Sequence, residues 1–449
     1  MLLSESEAKA LCRKLLGYVK ADDAAVSITC EDYSQVRFAD NSFTTSGRRE
    51  DLDASVTCWL EGKKGAASTN ELDDASLEAA VRQAEQLARL APVDREYLPT
   101  LGPQQYKPTH GYAEATANIQ VTSRAKALDA VIAACEKENV IGAGFHQARG
   151  TADARATKNG NFSYDRASLA SLSVTARTRE GGGSGYCLRN HFDAGRLDTG
   201  RIAREAIGKA MRCRDARALE AGAYTVILEP QAVADLLSSL AFVFDARFAD
   251  EGRSPLSAPG GKTKLGEKIF DERINFYSDP WHPNLPGAPA APSGLPAQKL
   301  YLVRNGVVEN LIYSRYWAKQ KGKEPTPGPV NNILESAQAP ASMEAMIGAT
   351  ERGLMVTRFW YLRFVDARTL LLTGLTRDGV WYVEKGKIQH PVRNLRFNQS
   401  LLEMLAPGNV DLIGAPERVS NGESQGTGSA LLPALKIEQF HFTSQSEAV

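Results

Sequence analysis

What this sequence has little of narrows its chemistry before any motif is considered. It has no surplus charge: 53 Lys and Arg stand against 53 Asp and Glu in 449 residues. That balance removes the electrostatic basis for coating nucleic acid or an anionic membrane surface. It has six cysteines, at 12, 30, 58, 135, 187 and 213, and no Cys-x-x-Cys pair. A disulfide framework or zinc-finger cage is therefore not expected, and free thiols in the reducing cytoplasm are. Long hydrophobic runs are missing too: the most apolar window, Ala232 to Phe244, spans 13 residues and contains Asp235, short of the roughly 20 residues a membrane-crossing helix needs. Residues 1–17 interleave Glu5, Glu7, Lys9, Arg13 and Lys14 with apolar positions, so no secretory leader is expected there.

Familiar catalytic spacings are also absent. The six histidines, at 110, 146, 191, 282, 390 and 441, never stand three to five apart, so no helix can present two imidazoles to one metal ion. No H-E-x-x-H segment exists, and Gly426-Thr427-Gly428-Ser429-Ala430 only approaches a nucleophile elbow. Pro259-Gly260-Gly261-Lys262-Thr263 ends like a phosphate loop, but Leu256 occupies the position of the first glycine, and a surface turn is the better reading. Gly181 to Gly185 reads as a flexible hairpin tip. The carboxylate pairs Asp73-Asp74 and Asp271-Glu272 read as helix starts or solvated faces.

What is present is periodic. Ser4 and Glu7 have capping-box spacing ahead of Leu11, Leu15, Leu16 and Val19, which predicts a first amphipathic helix. Val26, Ile28 and Cys30, and later Val56, Cys58 and Leu60, alternate as in half-buried strands. Further helices are predicted over Ser76 to Ala91, around Leu128 to Cys135, and over Thr199 to Arg214, and Asn159-Gly160 predicts a hairpin. After residue 215 the sequence turns mainly to strands, with one apolar helix over Ala232 to Phe244. Six prolines between Pro280 and Pro296, and Pro325, Pro327 and Pro329, mark loops. The expectation is an α+β protein in two parts: an N-terminal α/β domain, 1–215, and a mostly antiparallel, barrel-like β domain, 216–449. No internal repeat at a fixed period is visible. Tyr313, Tyr316, Trp317, Phe359, Trp360, Tyr361, Trp381 and Tyr382 cluster among Arg315, Lys319, Arg358 and Arg363, a pattern that suits core packing first and a peptide groove second.

Four stretches carry a family resemblance. They are Val36 to Asn41 with Ser55-Val56-Thr57 and Gly65 to Leu72; Leu302 to Val308 with Ser314-Arg315-Tyr316-Trp317-Ala318; Gly353 to Arg358; and Gly386-Lys387-Ile388 with Pro391-Val392 and Leu401 to Leu405. In this order they resemble the TldD/PmbA family, also called modulator of DNA gyrase or peptidase U62. The resemblance implies a pair of subunits, one a zinc metallopeptidase with a histidine-bearing helix and a late cysteine ligand, the other a companion lacking both. This chain resembles the companion, the PmbA/TldE type. Laying Leu236-Leu237 on the apolar pair before the motif puts Ser238, Ser239 and Val243 where histidine, glutamate and histidine would stand, and Glu423, Ser424 and Gln425 where the cysteine would be. An acidic element of the family is replaced by Ala291-Pro292-Ser293-Gly294.

The resemblance thus implies a non-catalytic, cytoplasmic subunit with no metal of its own. Zinc is expected in a TldD-like partner, with unfolded or short peptides as substrates and Arg315, Tyr316, Arg358 and Trp360 as peptide or partner contacts. A surface built for a paralogue also suits a homodimer. Neither nucleic acid nor membrane is expected as a partner. Two alternatives stand beside this reading: a peptidase acting alone through an unrecognised site, and a protein-binding modulator of DNA gyrase.

Overall fold

The computed structural model of the chain describes residues 2–238, 240–420 and 428–446. Its first half runs α1 (Glu5–Tyr18), β1 (Asp23–Ala39), β2 (Ser42–Leu60), β3 (Lys63–Thr69) and α2 (Asp74–Leu90). After α3 (Glu114–Ala117) come α4 (Val121–Lys137), β4 (Val140–Thr157), β5 (Phe162–Thr178), β6 (Ser184–His191) and α5 (Thr199–Arg212). The strands form one sheet of order β3-β2-β1-β4-β5-β6, antiparallel at every pairing. The predicted capping box starts α1, with the Glu7 amide donating to Ser4 Oγ and the Ser4 amide to Glu7 Oε2 at 2.8 Å. The predicted hairpin joins β4 to β5, although only Gly160 there takes a positive φ, at 91°.

The strand order is symmetric. Helix, three-strand meander and helix occur twice, and the copies meet where β1 pairs with β4. The two copies share a packing device rather than a sequence period. A Cβ at Gly65 of β3 would lie 2.2 Å from the Ala84 carbonyl oxygen and 2.3 Å from the Ala88 nitrogen of α2. At Gly185 of β6 it would lie 2.2 Å from the Ala206 oxygen and 2.4 Å from the Ala210 nitrogen of α5. In each copy a strand glycine lets an i,i+4 alanine pair bring helix backbone directly onto the sheet.

Alternation then divides the sheet's two faces. Ala152, Ala154 and Ala156 on β4 join a core with Leu15, Leu77 and Val81, while Leu172, Val174 and Ala176 on β5 join another with Leu128, Val131 and Ala203. The intervening residues, among them Phe145, Arg149 and Asp153 on β4 and Asp165, Ser173 and Arg177 on β5, occupy the opposite, polar face. All six cysteines are buried free thiols.

The second half begins with β7 (Gly222–Leu228), α6 (Pro230–Leu237), a 3-10 turn at Leu240–Phe244, α7 (Ala246–Asp250) and the small hairpin β8 (Ser257–Ala258) and β9 (Lys262–Thr263). There follow β10 (Ile274–Ser278), β11 (Leu300–Arg304), β12 (Val307–Val308), α8 (Arg315–Lys321), β13 (Ile333–Ser336), α9 (Met343–Gly348), β14 (Arg352–Val356) and β15 (Phe359–Asp366). The remainder is β16 (Leu371–Thr376), β17 (Val380–Glu384), β18 (Lys387–Pro391), β19 (Leu395–Ser400), α10 (Leu401–Met404), β20 (Val410–Ser420) and β21 (Ser429–Gln445).

Apart from the β8–β9 hairpin these strands form a branched, mostly antiparallel sheet; only β7/β14 and β13/β21 pair parallel. The α+β class is as expected, but among the described residues the barrel-like sheet stays open. The reason lies in β21, which is 17 residues long and pairs with β20, β7 and β19 along successive segments. The sheet branches from this strand instead of wrapping round to close.

Two predicted elements are broken in the structure. The apolar window 232–244 is two pieces, α6 and the 3-10 turn, and all eight residues of α6 are buried. Among the strands expected after residue 215, the run from Gly353 to Phe359 splits at Thr357-Arg358 into β14 and β15. Charged and polar links hold the halves together: Lys209 Nζ to Glu229 Oε2 at 2.6 Å, Ser184 Oγ to Asp378 Oδ1 at 2.6 Å, and Arg418 Nε to Asn190 Oδ1 at 3.1 Å.

Candidate functional site

The polar face of the first sheet, covered by the second half, forms the candidate site. Two cavities lie along it. One, of 360 Å³, has Arg149, Asp153 and Asp165 on the sheet side and Leu285, Pro286 and Gly287 of the proline-rich loop opposite. Asp153 and Asp165 face each other across the β4/β5 ladder. Burial, reinforced by the Asp153 charge, pushes the Asp165 carboxyl up to about 7. Asp153 is held by the Thr29 hydroxyl at 2.9 Å.

The other cavity, of 290 Å³, reaches from Phe145, Ser173 and Arg177 on the sheet to Gln231 of α6 and to Arg358 and Trp360 at the β14–β15 junction. Arg358 is buried with its guanidinium carbon 4.0 Å from the Tyr186 ring centre and 5.0 Å from that of Trp360. Its Nη1 stands 3.5 Å from Asp378 Oδ2, and Arg377 Nε 3.8 Å from the same oxygen. Asp378 sits in the β16–β17 turn with φ 56°, and its Oδ1 accepts from the Ser184 hydroxyl at 2.6 Å. Burial raises the Tyr186 phenol to about 12, against the pull of Arg358, so it stays a neutral hydroxyl near neutral pH.

Helix α6 forms the floor. Gln231 Nε2 donates to Asp235 Oδ1 at 2.9 Å and to the Ser420 carbonyl at 3.2 Å, and Asp235 Oδ2 accepts the Phe359 amide at 2.9 Å. Downstream, the Ser238 hydroxyl bonds back to the Asp235 carbonyl at 3.0 Å, and Val243 is a core side chain. Ser239 and residues 423–425 lie outside the described residues.

Of the four expected contact residues, Arg358 and Trp360 come together in the cavity, whereas Arg315 and Tyr316 do not line it. Arg315 Nη2 instead donates to the Pro99 carbonyl at 2.7 Å. Sequence reasoning missed Gln231, Arg177, Tyr186, Arg377 and Asp378. Their one local signal was strand alternation placing Arg177 on the face opposite Leu172 and Val174.

Fold and site together define a two-part α+β protein with a polar cleft between its halves and a wholly buried helix beneath it. The fold is shared with TldE from Thermococcus kodakarensis, at a TM-score of 0.85 and 18% identity over 97% of this chain and 99% of that one. It is shared equally with a Thermotoga maritima protein described as a candidate modulator of a DNA gyrase, at TM-score 0.83, 17% identity, and 97% and 100% coverage. In sequence, residues 221–444 match the PmbA/TldA metallopeptidase C-terminal domain and residues 31–88 match PmbA/TldA metallopeptidase domain 1. A protein from Methanothermobacter thermautotrophicus named metalloprotease is 25% identical over 243 residues, 51% of this chain and 50% of its own length. The sequence matches to curated relatives span 30 to 50% of those relatives' lengths. The chain belongs to the PmbA/TldD family.

Proposed function

We propose that this chain, with domains 1–215 and 216–449, is the non-catalytic subunit of a two-component metallopeptidase. It docks on a zinc-bearing paralogue and helps enclose unfolded or short peptides. The observation that carries this reading is the state of α6 and the turn after it. At two positions where the family resemblance puts metal ligands, Ser238 has spent its hydroxyl on its own helix and Val243 is packed in the core. Among the described residues no three His, Cys, Asp or Glu side chains converge as ligands would. The donor set does not fit a zinc ion, and no hydrolytic step is assigned to this chain.

A surface for the paralogue is also available. On β15 the large apolar side chains Tyr361, Phe364 and Val365 are exposed. Exposed apolar side chains grouped on one strand support docking of a partner against it. The test is zinc content and hydrolysis of an unstructured peptide by this chain alone and after mixing with a histidine-motif paralogue. Cleavage is expected only in the mixture, and Phe364→Asp should weaken assembly at least tenfold without lowering the melting temperature. Stoichiometric zinc with chelator-sensitive cleavage by this chain alone would overturn the reading.

A further inference from the structure

We propose that the cavity beneath Arg358 binds the C-terminal residue of a peptide, with the carboxylate on Arg358 and the backbone N–H on Gln231. This rests on the subunit reading only in taking peptides as the ligand class. Arg358 and Gln231 are 8% and 9% exposed, and both line the cavity. Each keeps one buried polar atom without a hydrogen-bond partner among the described residues: the Arg358 Nε donor and the Gln231 Oε1 acceptor. Buried polar atoms are normally satisfied, so two unmet ones in a single cavity describe what is missing. The missing group must supply an acceptor to Arg358 and a donor to Gln231.

A peptide C-terminus carries both, because its carboxylate is acceptor-only and the amide N–H lies one carbon away. An unprotonated oxyanion such as sulfate would satisfy Arg358 and leave Gln231 unmet, and an amine would do the reverse. Charge points the same way. The guanidiniums of Arg177, Arg358 and Arg377 outnumber the carboxylates of Asp378 and Asp235, and both carboxylates already accept hydrogen bonds, from Ser184 and from Phe359 with Gln231. Tyr186 and Trp360 lie against the Arg358 guanidinium, restricting its plane while its edge is left for a carboxylate. At 290 Å³ the cavity stands at the small end of the roughly 300–1,000 Å³ range for ligand pockets, which suits a chain end rather than a folded partner.

The test is calorimetric titration of the full chain with N-acetyl-trialanine, with its C-terminal amide, and with sulfate. The free acid is expected to bind, and the amide and sulfate each at least tenfold more weakly. Arg358→Lys, which keeps the charge and loses the fork, should weaken the acid at least tenfold. Arg177→Ala, at an exposed position that leaves the fold intact by circular dichroism, should weaken it two- to fivefold. Equal affinity for acid and amide, sulfate binding as tightly as the peptide, or unchanged binding in both variants would overturn the proposal. Activity complementation with the paralogue is scored separately. Lost peptide selectivity with intact complementation overturns this inference alone, and the converse overturns the subunit reading alone.

Discussion

Replacing Lys209 by methionine should loosen the joint between the two halves. Lys209 Nζ lies 2.6 Å from Glu229 Oε2 and 3.2 Å from Glu205 Oε1, and its side chain is only 7% exposed. Arg189 shares Glu205 at 3.2 Å. Burial pulls the Lys209 pKa down, but Glu229 and Glu205 outweigh it and hold the ammonium above the ordinary lysine value. A lysine whose folded pKa is raised contributes stability that is complete below its unfolded pKa, near 10.4, and is lost above it. The contribution is therefore fully present at pH 7.

Methionine keeps the stem and orphans Glu229, the residue that leads into α6. Breaking a buried pair on one side costs about 3–5 kcal/mol. Because Glu205 retains Arg189, the lower end applies, about 3 kcal/mol. At roughly 2–4 °C per kcal/mol for units of about 150–250 residues, the melting temperature should fall by about 6–12 °C. Thermal unfolding at pH 7 followed by circular dichroism measures that fall, and urea unfolding measures the free energy. Adding Glu229→Gln should recover at least half the loss, since no uncompensated charge then remains. A single-variant cost below about 1 kcal/mol, or a double variant no better than the single, would refute the reasoning.

Three glycines separate packing from propensity. Gly65→Ala and Gly185→Ala each force a Cβ to within 2.4 Å of helix backbone and should cost about 1–3 kcal/mol or more, whereas Gly208→Ala in α5, where a Cβ meets nothing within 4 Å, should add about 0.5–1 kcal/mol; thermal melts of the three variants decide the matter. The Asp165 carboxyl, raised to about 7 by burial and by Asp153, holds its proton in the folded state after the unfolded chain has lost it. Stability therefore declines as pH rises between about 4 and 7. Asp165→Asn should flatten that decline and stabilise the protein at pH 8 by about 1–3 kcal/mol, after allowance for solvent screening; identical pH profiles for the two proteins would sink the assignment.

Much of the local structure was legible in the sequence because its causes are local. The Ser4/Glu7 capping box, the helical spacing of Leu77, Val81 and Ala84, and the alternation along β4 and β5 need only neighbouring residues to act; Leu87, read on the same face, is 44% exposed instead. Where a helix must answer to its surroundings, local reading ran past the boundary. The apolar window 232–244 reads as one helix, yet α6 ends at Leu237. The duplicated meander was likewise invisible, since what the copies share is a glycine under an alanine pair and a place in the strand order, neither of which repeats at a fixed spacing.

Tertiary structure alone decided the site. Arg177, Gln231, Arg358 and Asp378 are far apart in the chain and become neighbours only because the polar face of the first sheet is pressed against α6 and the β14–β15 junction. By the same geometry Arg315, equal to Arg358 in every sequence argument, is turned to the Pro99 carbonyl instead. Periodicity specifies which face a side chain takes, because that depends on backbone geometry a few residues long. Which faces then meet is set by pairings between distant strands, and with it which charges are buried together and which polar atoms are left to be met by something else.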